Sequence, residues 1–276
     1  MVYIWINILH LDSRLLSHFS SILLHLSSLT MSNQTPSPIS PAEAVSAGLK
    51  DNKTHLLLAS SGSVATIKLP LIISALSSTP NLSIRVILTK SASHFLAGQS
   101  AEQPTVASLS SLPNVDGVYH DEDEWAVPWT RGASILHIEL RRWAYLLAVV
   151  PLSANTLAKV VNGMADNLLT SVIRCWDISA QNPRRRGPRR ILVAPAMNTQ
   201  MWLHPVTEKQ IRVLEEEWGV KGDPERGWYE VLQPQSSKLL ACGDRGSGAM
   251  LDWNEIVDII RDRLRVYEEA APVEGS

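Results

Sequence analysis

Three side chains stand in settings that suggest chemistry. His137 lies in Ile135-Leu-His-Ile-Glu-Leu-Arg-Arg-Trp143. An imidazole titrates near neutral pH and can give or take a proton, although a lone histidine also serves structural roles. Cys242 lies in Leu240-Ala-Cys-Gly-Asp-Arg-Gly-Ser-Gly-Ala-Met250. Three glycines within residues 243–248 exclude a helix interior. This stretch reads as a mobile flap, and its cysteine as a candidate acid, nucleophile or redox group. Cys175, beside Trp176 in an apolar helix, reads as a buried structural cysteine. Asn198 lies in Ala194-Pro-Ala-Met-Asn-Thr-Gln-Met-Trp202. Its planar carboxamide has two donors and suits a planar carboxylate. Met197, Met201 and Trp202 beside it form either an apolar wall or plain core.

Two further turns are rich in small donors. In Ala59-Ser-Ser-Gly-Ser-Val-Ala-Thr-Ile-Lys68, Gly62 admits close backbone approach, and Ser61, Ser63 and Lys68 can meet an anion at a helix N-terminus. The segment is neither G-x-G-x-x-G nor a Walker loop, and it also reads as an ordinary βα turn with a Ser cap. Pro151-Leu-Ser-Ala-Asn-Thr-Leu-Ala158 repeats the pattern, as a ligand turn or a plain helix cap.

These turns need a scaffold that brings strand ends together. Apolar runs at 55–60, 84–89, 145–150 and 191–194 read as buried parallel strands, the last two ended by Pro151 and Pro195. Helical spacing follows at 64–75, 154–162, 167–176, 204–218 and 252–267. Alternation of this kind predicts a single α/β domain with a parallel sheet, in which ligands sit at the C-terminal strand ends.

Composition narrows the function. A net charge of −2 supplies no broad cationic face, so nucleic-acid binding is not expected. The five arginines of Gln181–Arg190 read as a surface loop, against a nuclear-localisation or nucleic-acid patch. Two cysteines in 276 residues suit a reducing compartment, the cytoplasm with the nucleus as a second place. The apolar runs of residues 1–30 are broken by polar residues and fall short of a membrane span, so no membrane partner is expected. That segment reads as an upstream extension before Met31 or as a weak targeting segment. Residues 1–50 are expected to be a disordered extension and linker, 51–268 the domain, and 269–276 a disordered tail.

Taken in order, S-G-S-V-A-x-I-K, H-I-E-L-R-R-W-A, P-L-S-A-N-T-L-A-K, M-A-D-N-L-L-T, A-P-A-M-N-x-x-M-W and A-C-G-D-x-G-x-G-A-M resemble the flavin-dependent cysteine decarboxylases. That family includes phosphopantothenoylcysteine decarboxylases and the Hal3-type proteins. The resemblance spans His55 to Leu251. It implies a flavodoxin-like (Rossmann-like) three-layer fold, bound FMN, and a homotrimer with each flavin at a subunit interface. It implies FMN contacts at Gly62, Ser63, Ala65, Thr89, Ser91, Ser153, Ala154, Asn155, Thr156 and Ala196. It makes His137, Asn198 and Cys242 catalytic, and places Asn198, Met201, Lys238 and Ala241 near substrate.

The implied reaction converts 4′-phosphopantothenoylcysteine to 4′-phosphopantetheine in coenzyme A biosynthesis. The substrate carboxylate sits on a saturated carbon without an electron sink. Oxidation of the thiol to a thioaldehyde by the flavin creates one, CO2 leaves, and the ene-thiolate is then protonated and reduced. On this reading Asn198 orients the carboxylate, His137 assists oxidation and decarboxylation, and Cys242 supplies the proton.

Tyr145 stands where the family often has an acid, and the role of Lys238 stays open. The Arg-rich loop and Gly222–Trp228 look like surface insertions. Three other readings compete. A Hal3-like regulator would inhibit a protein phosphatase or join a mixed trimer; the presence of His137, Asn198 and Cys242 speaks against it. A sister flavoenzyme would act on a peptide cysteine or prenylate a flavin. A generic NAD-binding protein lacks its G-x-G-x-x-G.

Overall fold

In the computed structural model the chain divides into two units, residues 1–39 and 40–276. The structure describes residues 39–179, 189–236, 238–239 and 245–270. Residues 181–188 of the Arg-rich loop, the extension before Ile39 and the tail after Ala270 lie outside the described residues; at the loop's end the surface reading is corrected, because Arg189 is buried and donates to Arg141 O and Arg142 O.

Six parallel strands form the central sheet: β1 (Thr54–Ser60), β2 (Leu82–Leu88), β3 (Val115–Tyr119), β4 (Leu146–Leu152), β5 (Ile191–Pro195) and β6 (Tyr229–Val231). Their spatial order is β3-β2-β1-β4-β5-β6. β1 and β4 are neighbours whose chains run on toward opposite edges, so a crevice opens between their C-terminal ends.

Strand alternation divides the core in two. Leu57 and Ala59 of β1 face one cluster, Leu56 and Leu58 the other. Helices α1 (Pro41–Ala47), α3 (Leu136–Trp143), α4 (Ala154–Val161), α5 (Leu168–Arg174) and α6 (Pro205–Arg212) cover the first face. Helices α2 (Leu69–Leu76) and α7 (Trp253–Ala270) cover the second. This is the expected three-layer, flavodoxin-like Rossmann-type fold. Among the described residues, no helix is long and apolar enough to cross a membrane.

Three further expectations shift. Residues 41–50, read as linker, begin with α1, whose Ala42 and Val45 are buried. The prolines that suggested a linker hid a helix start. Pro41 fills the first helical position, Glu43 N–H donates to Ser40 Oγ (3.2 Å), and Ser40 N–H donates to Glu43 Oε2 (2.9 Å). Pro151 does not end its strand; β4 continues to Leu152. Its ladder with β5 shifts register between Val149 and Leu152, where a missing N–H disturbs no regular bond. Gly222–Arg226 is exposed, as a surface insertion should be, but the end of the segment packs inward. Trp228 N–H donates to Trp218 O (2.9 Å), the two indoles stack 6.0 Å apart, and Gly227 is buried.

Beneath α1 lies a buried polar cluster. His55 is 2% exposed; its Nε2 pairs with Asp51 Oδ1 (2.7 Å), its Nδ1 with Trp143 O (2.9 Å), and its ring stacks on Trp143. Arg85 donates to Tyr119 Oη and to Ala44 O, which ties α1 to the sheet. Burial pushes the His55 pKa down against the opposing pull of Asp51. The folded state therefore resists protonating His55. The unfolded chain takes up that proton near pH 6.5, so stability is complete above about pH 6.5 and falls as pH drops below it. Urea unfolding at pH 7.5 and 5.5 should show a larger acid loss for wild type than for His55→Gln. Equal losses would remove His55 as the cause.

Candidate active site

The β1 and β4 turns are physically coupled at the crevice. Ser61, fully buried, donates from Oγ to Pro151 O (3.0 Å) and accepts from Ser153 N–H (2.8 Å). Ser61 N–H also donates to Pro151 O (3.1 Å). Ser63 and Ser153 then cap the helical segments that follow, accepting from Ala65 and Thr156 N–H. The turn after β5 is capped by Asn198, whose Oδ1 accepts from Gln200 N–H (2.8 Å).

A cavity of about 510 Å³ opens where these turns meet. The β1 turn contributes Gly62, Ser63, Ala65 and Lys68; the β4 turn, Ser153, Ala154 and Asn155; the β5 turn, Ala196, Asn198 and Met201. Nine of the expected site residues thus line one space: Gly62, Ser63, Ala65, Ser153, Ala154, Asn155, Ala196, Asn198 and Met201.

The others are placed differently. Thr89 is buried and caps Lys90–Ser93, and Thr156 is buried with its hydroxyl accepting from Ser153 Oγ (3.2 Å). Ser91 abuts the first turn: a Cβ on Gly62 would lie 2.6 Å from Ser91 Cβ. His137 is not among the residues lining this cavity. The backbone of Lys238 belongs to a short ladder with Arg245–Gly246. Ala241 and Cys242 lie outside the described residues.

Gly248, Ala249 and Met250, the end of the A-C-G-D-x-G-x-G-A-M motif, also line the cavity, whereas Phe95 and residues 251–253 carry no motif of their own and were not assigned to the site from sequence. The glycines of the expected flap have a packing role at its base. Gly248 adopts φ +98°, and its carbonyl accepts from Met197 N–H (3.0 Å). A Cβ on Gly246 would collide with Thr199 Oγ1, which donates to Ser247 O (3.1 Å). The segment after the flap is thereby fastened to the turn that carries Asn198.

His137 has a partner that sequence reading did not assign. Its Nδ1 lies 2.9 Å from Glu124 Oε1, and its backbone N–H donates to Glu124 Oε2 (3.1 Å). Nearby, the Cys175 thiol donates to Val172 O (3.4 Å) and faces Arg141. Cys175 is only half-buried, short of the full burial expected for it, and that burial raises its pKa despite Arg141.

The cavity suits a flat cofactor with an anionic tail. Val64, Ile67, Phe95, Met250 and Trp253 supply apolar wall, Gly62 leaves room for no side chain, and capped helical starts with Lys68 meet negative charge. A doubly wound sheet with such a cavity at its switch point defines a nucleotide- or flavin-binding α/β protein. The chain belongs to the Flavoprotein family, whose model matches residues 45–265.

The chain is 40% identical over 208 residues to the phosphopantothenoylcysteine decarboxylase of Mus musculus, covering 75% of this chain and 86% of the relative. Among solved structures it is similar to a Cys-to-Ser variant of PPC decarboxylase complexed with pantothenoylaminoethenethiol (39% identity, TM-score 0.60, 76% and 97% covered). It is also similar to "The FMN binding protein AtHal3" (38% identity, TM-score 0.58, 76% and 96% covered). Other curated relatives are longer, and the chain spans about a third of their length (31% and 35%).

Proposed function

We propose that this chain is an FMN-dependent phosphopantothenoylcysteine decarboxylase, forming 4′-phosphopantetheine on the route to coenzyme A. The observation that carries the reading is one cavity at the switch point with Asn198 lining it beside the β1 and β4 turns. The likeness to phosphopantothenoylcysteine decarboxylases supports the substrate. Gly62, Ser63, Ala65, Ser153, Ala154, Asn155 and Ala196 would hold the FMN, with Thr89, Ser91 and Thr156 shaping those turns. Bound FMN supplies reversible two-electron oxidation of the substrate thiol, which gives the departing carboxylate its electron sink.

The chain's own residues bind, orient and move protons. Asn198 donates to the carboxylate, with Met201 as an apolar neighbour. Cys242 delivers the proton to the ene-thiolate carbon after CO2 has left, with Ala241 and Lys238 on the same segment near substrate. His137 assists thiol deprotonation. Because His137 does not line its own chain's cavity, we assign it to the cavity of a neighbouring copy in a homotrimer. Trp125, Val127 and Trp129 are exposed in the segment leading to His137, and Val64, Met201 and Leu203 are exposed at or beside the cavity. Both patches suit burial between copies. With two cysteines per chain, the cytoplasm is the fitting compartment.

The test incubates purified single chain with 4′-phosphopantothenoylcysteine and follows loss of CO2 by mass spectrometry. Wild type should yield 4′-phosphopantetheine. Cys242→Ser should release CO2 and accumulate the ene-thiol two hydrogens short of product. Bound FMN without conversion would move the assignment to a regulatory or mixed-trimer role. Normal product from Cys242→Ser would place the proton donor elsewhere.

A further inference from the structure

The acidic turn Asp121–Trp125 precedes α3 by ten residues and carries none of the family motifs. Its carboxylates nevertheless have separate tasks. Asp121 Oδ1 accepts from Leu168 N–H at the start of α5 (3.0 Å). Asp123 Oδ2 accepts from His120 N–H (2.7 Å). Glu124, with its side chain only 7% exposed, spends both oxygens on one residue, His137. The turn is thus held from two sides before Glu124 reaches the histidine.

We infer that Glu124 is a positioning residue that clamps His137 by backbone and ring together, fixing its Nδ1–H tautomer and presenting Nε2 for chemistry. A carboxylate at these distances only accepts, so Nδ1 carries the hydrogen, and in the neutral imidazole the lone pair is on Nε2. The backbone bond fixes where the side chain starts, and the ring bond fixes where it points. The His137 side chain is 27% exposed, so the clamp does not bury the ring completely. Cys175 Sγ lies 3.8 Å from His137 O, which ties the same residue to the end of α5.

Helix capping is the competing role. Ile135, the N-cap of α3, makes no side-chain cap bond, and Glu124 supplies an acceptor to the second helical residue. Capping alone would be indifferent to the ring. The ring bond at 2.9 Å distinguishes the two roles.

The inference rests on the proposed function of His137, and its test separates the two. FMN-loaded full-length protein is compared as wild type, Glu124→Gln, His137→Asn and the double variant. Decarboxylation kinetics are measured alongside the imidazole 15N signals of His137. The Gln amide would donate toward Nδ1 and favour the Nε2–H tautomer. Glu124→Gln should lower kcat by roughly 10- to 100-fold with KM little changed. The 15N signals should move toward the Nε2–H form. In the His137→Asn background, Glu124→Gln should cost nothing further.

Equal losses in both backgrounds, or unchanged 15N signals, would reduce Glu124 to a cap and overturn the inference. Full activity of His137→Asn would overturn the catalytic reading of His137 and the clamp's purpose with it. Inactive His137→Asn with fully active Glu124→Gln would overturn the clamp alone. Should Glu124→Gln fail to fold, Glu124→Asp keeps the charge but falls one methylene short of the ring. It should show the same tautomer shift, and a wild-type spectrum from it would overturn the inference.

Discussion

Asn198→Asp is expected to lower kcat/KM by roughly 10³-fold while leaving FMN bound and the protein folded. The carboxamide is fixed at one end, because Oδ1 accepts from Gln200 N–H (2.8 Å) as the cap of Thr199–Trp202. On the proposed function, its amino end donates to the substrate carboxylate. Aspartate keeps the cap, since it is as good an N-cap as asparagine. What it changes is the other end, from a donor to a second anionic oxygen. Two unit charges about 4 Å apart repel by about 4 kcal/mol at an effective dielectric of 20. That corresponds to roughly 10³-fold in kcat/KM. The measurement is kcat/KM with flavin absorbance and thermal unfolding on the same sample. Loss of activity with wild-type flavin content and Tm supports the assignment. Activity near wild type would remove Asn198 from carboxylate recognition.

The parts of this site visible in the sequence are those whose chemistry is local. A run such as Leu56-Leu-Leu-Ala59, buried on both faces, announces a parallel strand, and a Ser-Gly-Ser turn after it announces a ligand loop. Elements of mixed character were harder to see. β3 carries Asp116 and Gly117 and is only partly buried at the sheet edge, so its residues lack the apolar signature of the inner strands. β6 has three residues, too few for a periodicity. α3 gives only a weak helical signal, because its eight residues mix Glu139, Arg141 and Arg142 with buried Leu136, Leu140 and Trp143.

Tertiary partnership left no local trace at all. Glu124 meets His137 across 13 residues, out of an acidic run that carries no motif. Leu251, Asp252 and Trp253 also line the cavity, next to Gly248, whose carbonyl accepts from Met197 N–H on the β5 turn. Glycine spacing predicted a flap there and did not reveal that its base is a packed joint.

Gly62→Ala should cost the protein its flavin. The added methyl would lie 2.6 Å from Ser91 Cβ and 3.5 Å from its Oγ. Carbon atoms pack at about 3.5–4.0 Å, so one side must yield by about 1 Å. The first turn has little freedom to retreat, because buried Ser61 is bonded to Pro151 O and Ser153 N–H across the crevice. Ser91 belongs to the short helix Lys90–Ser93, which Thr89 caps against the end of β2. Either the turn moves into the cavity or this helix is pushed outward, and both spoil the cradle. Overpacking of this kind costs about 1–3 kcal/mol, which a domain of this size survives. Affinity for FMN should fall by at least tenfold, since about 1.4 kcal/mol lost at the turn is enough. Flavin per protein after desalting, and titration of apoprotein with FMN, read the effect. The clash has two partners, so it can be relieved from the other side. Ser91→Gly added to Gly62→Ala should restore flavin toward the level of Ser91→Gly alone. Wild-type affinity in Gly62→Ala would mean that the turn has slack the bonded Ser61 does not suggest. Failure of the double variant to recover would mean that the glycine matters for direct backbone approach to the cofactor, and not for its packing against Ser91.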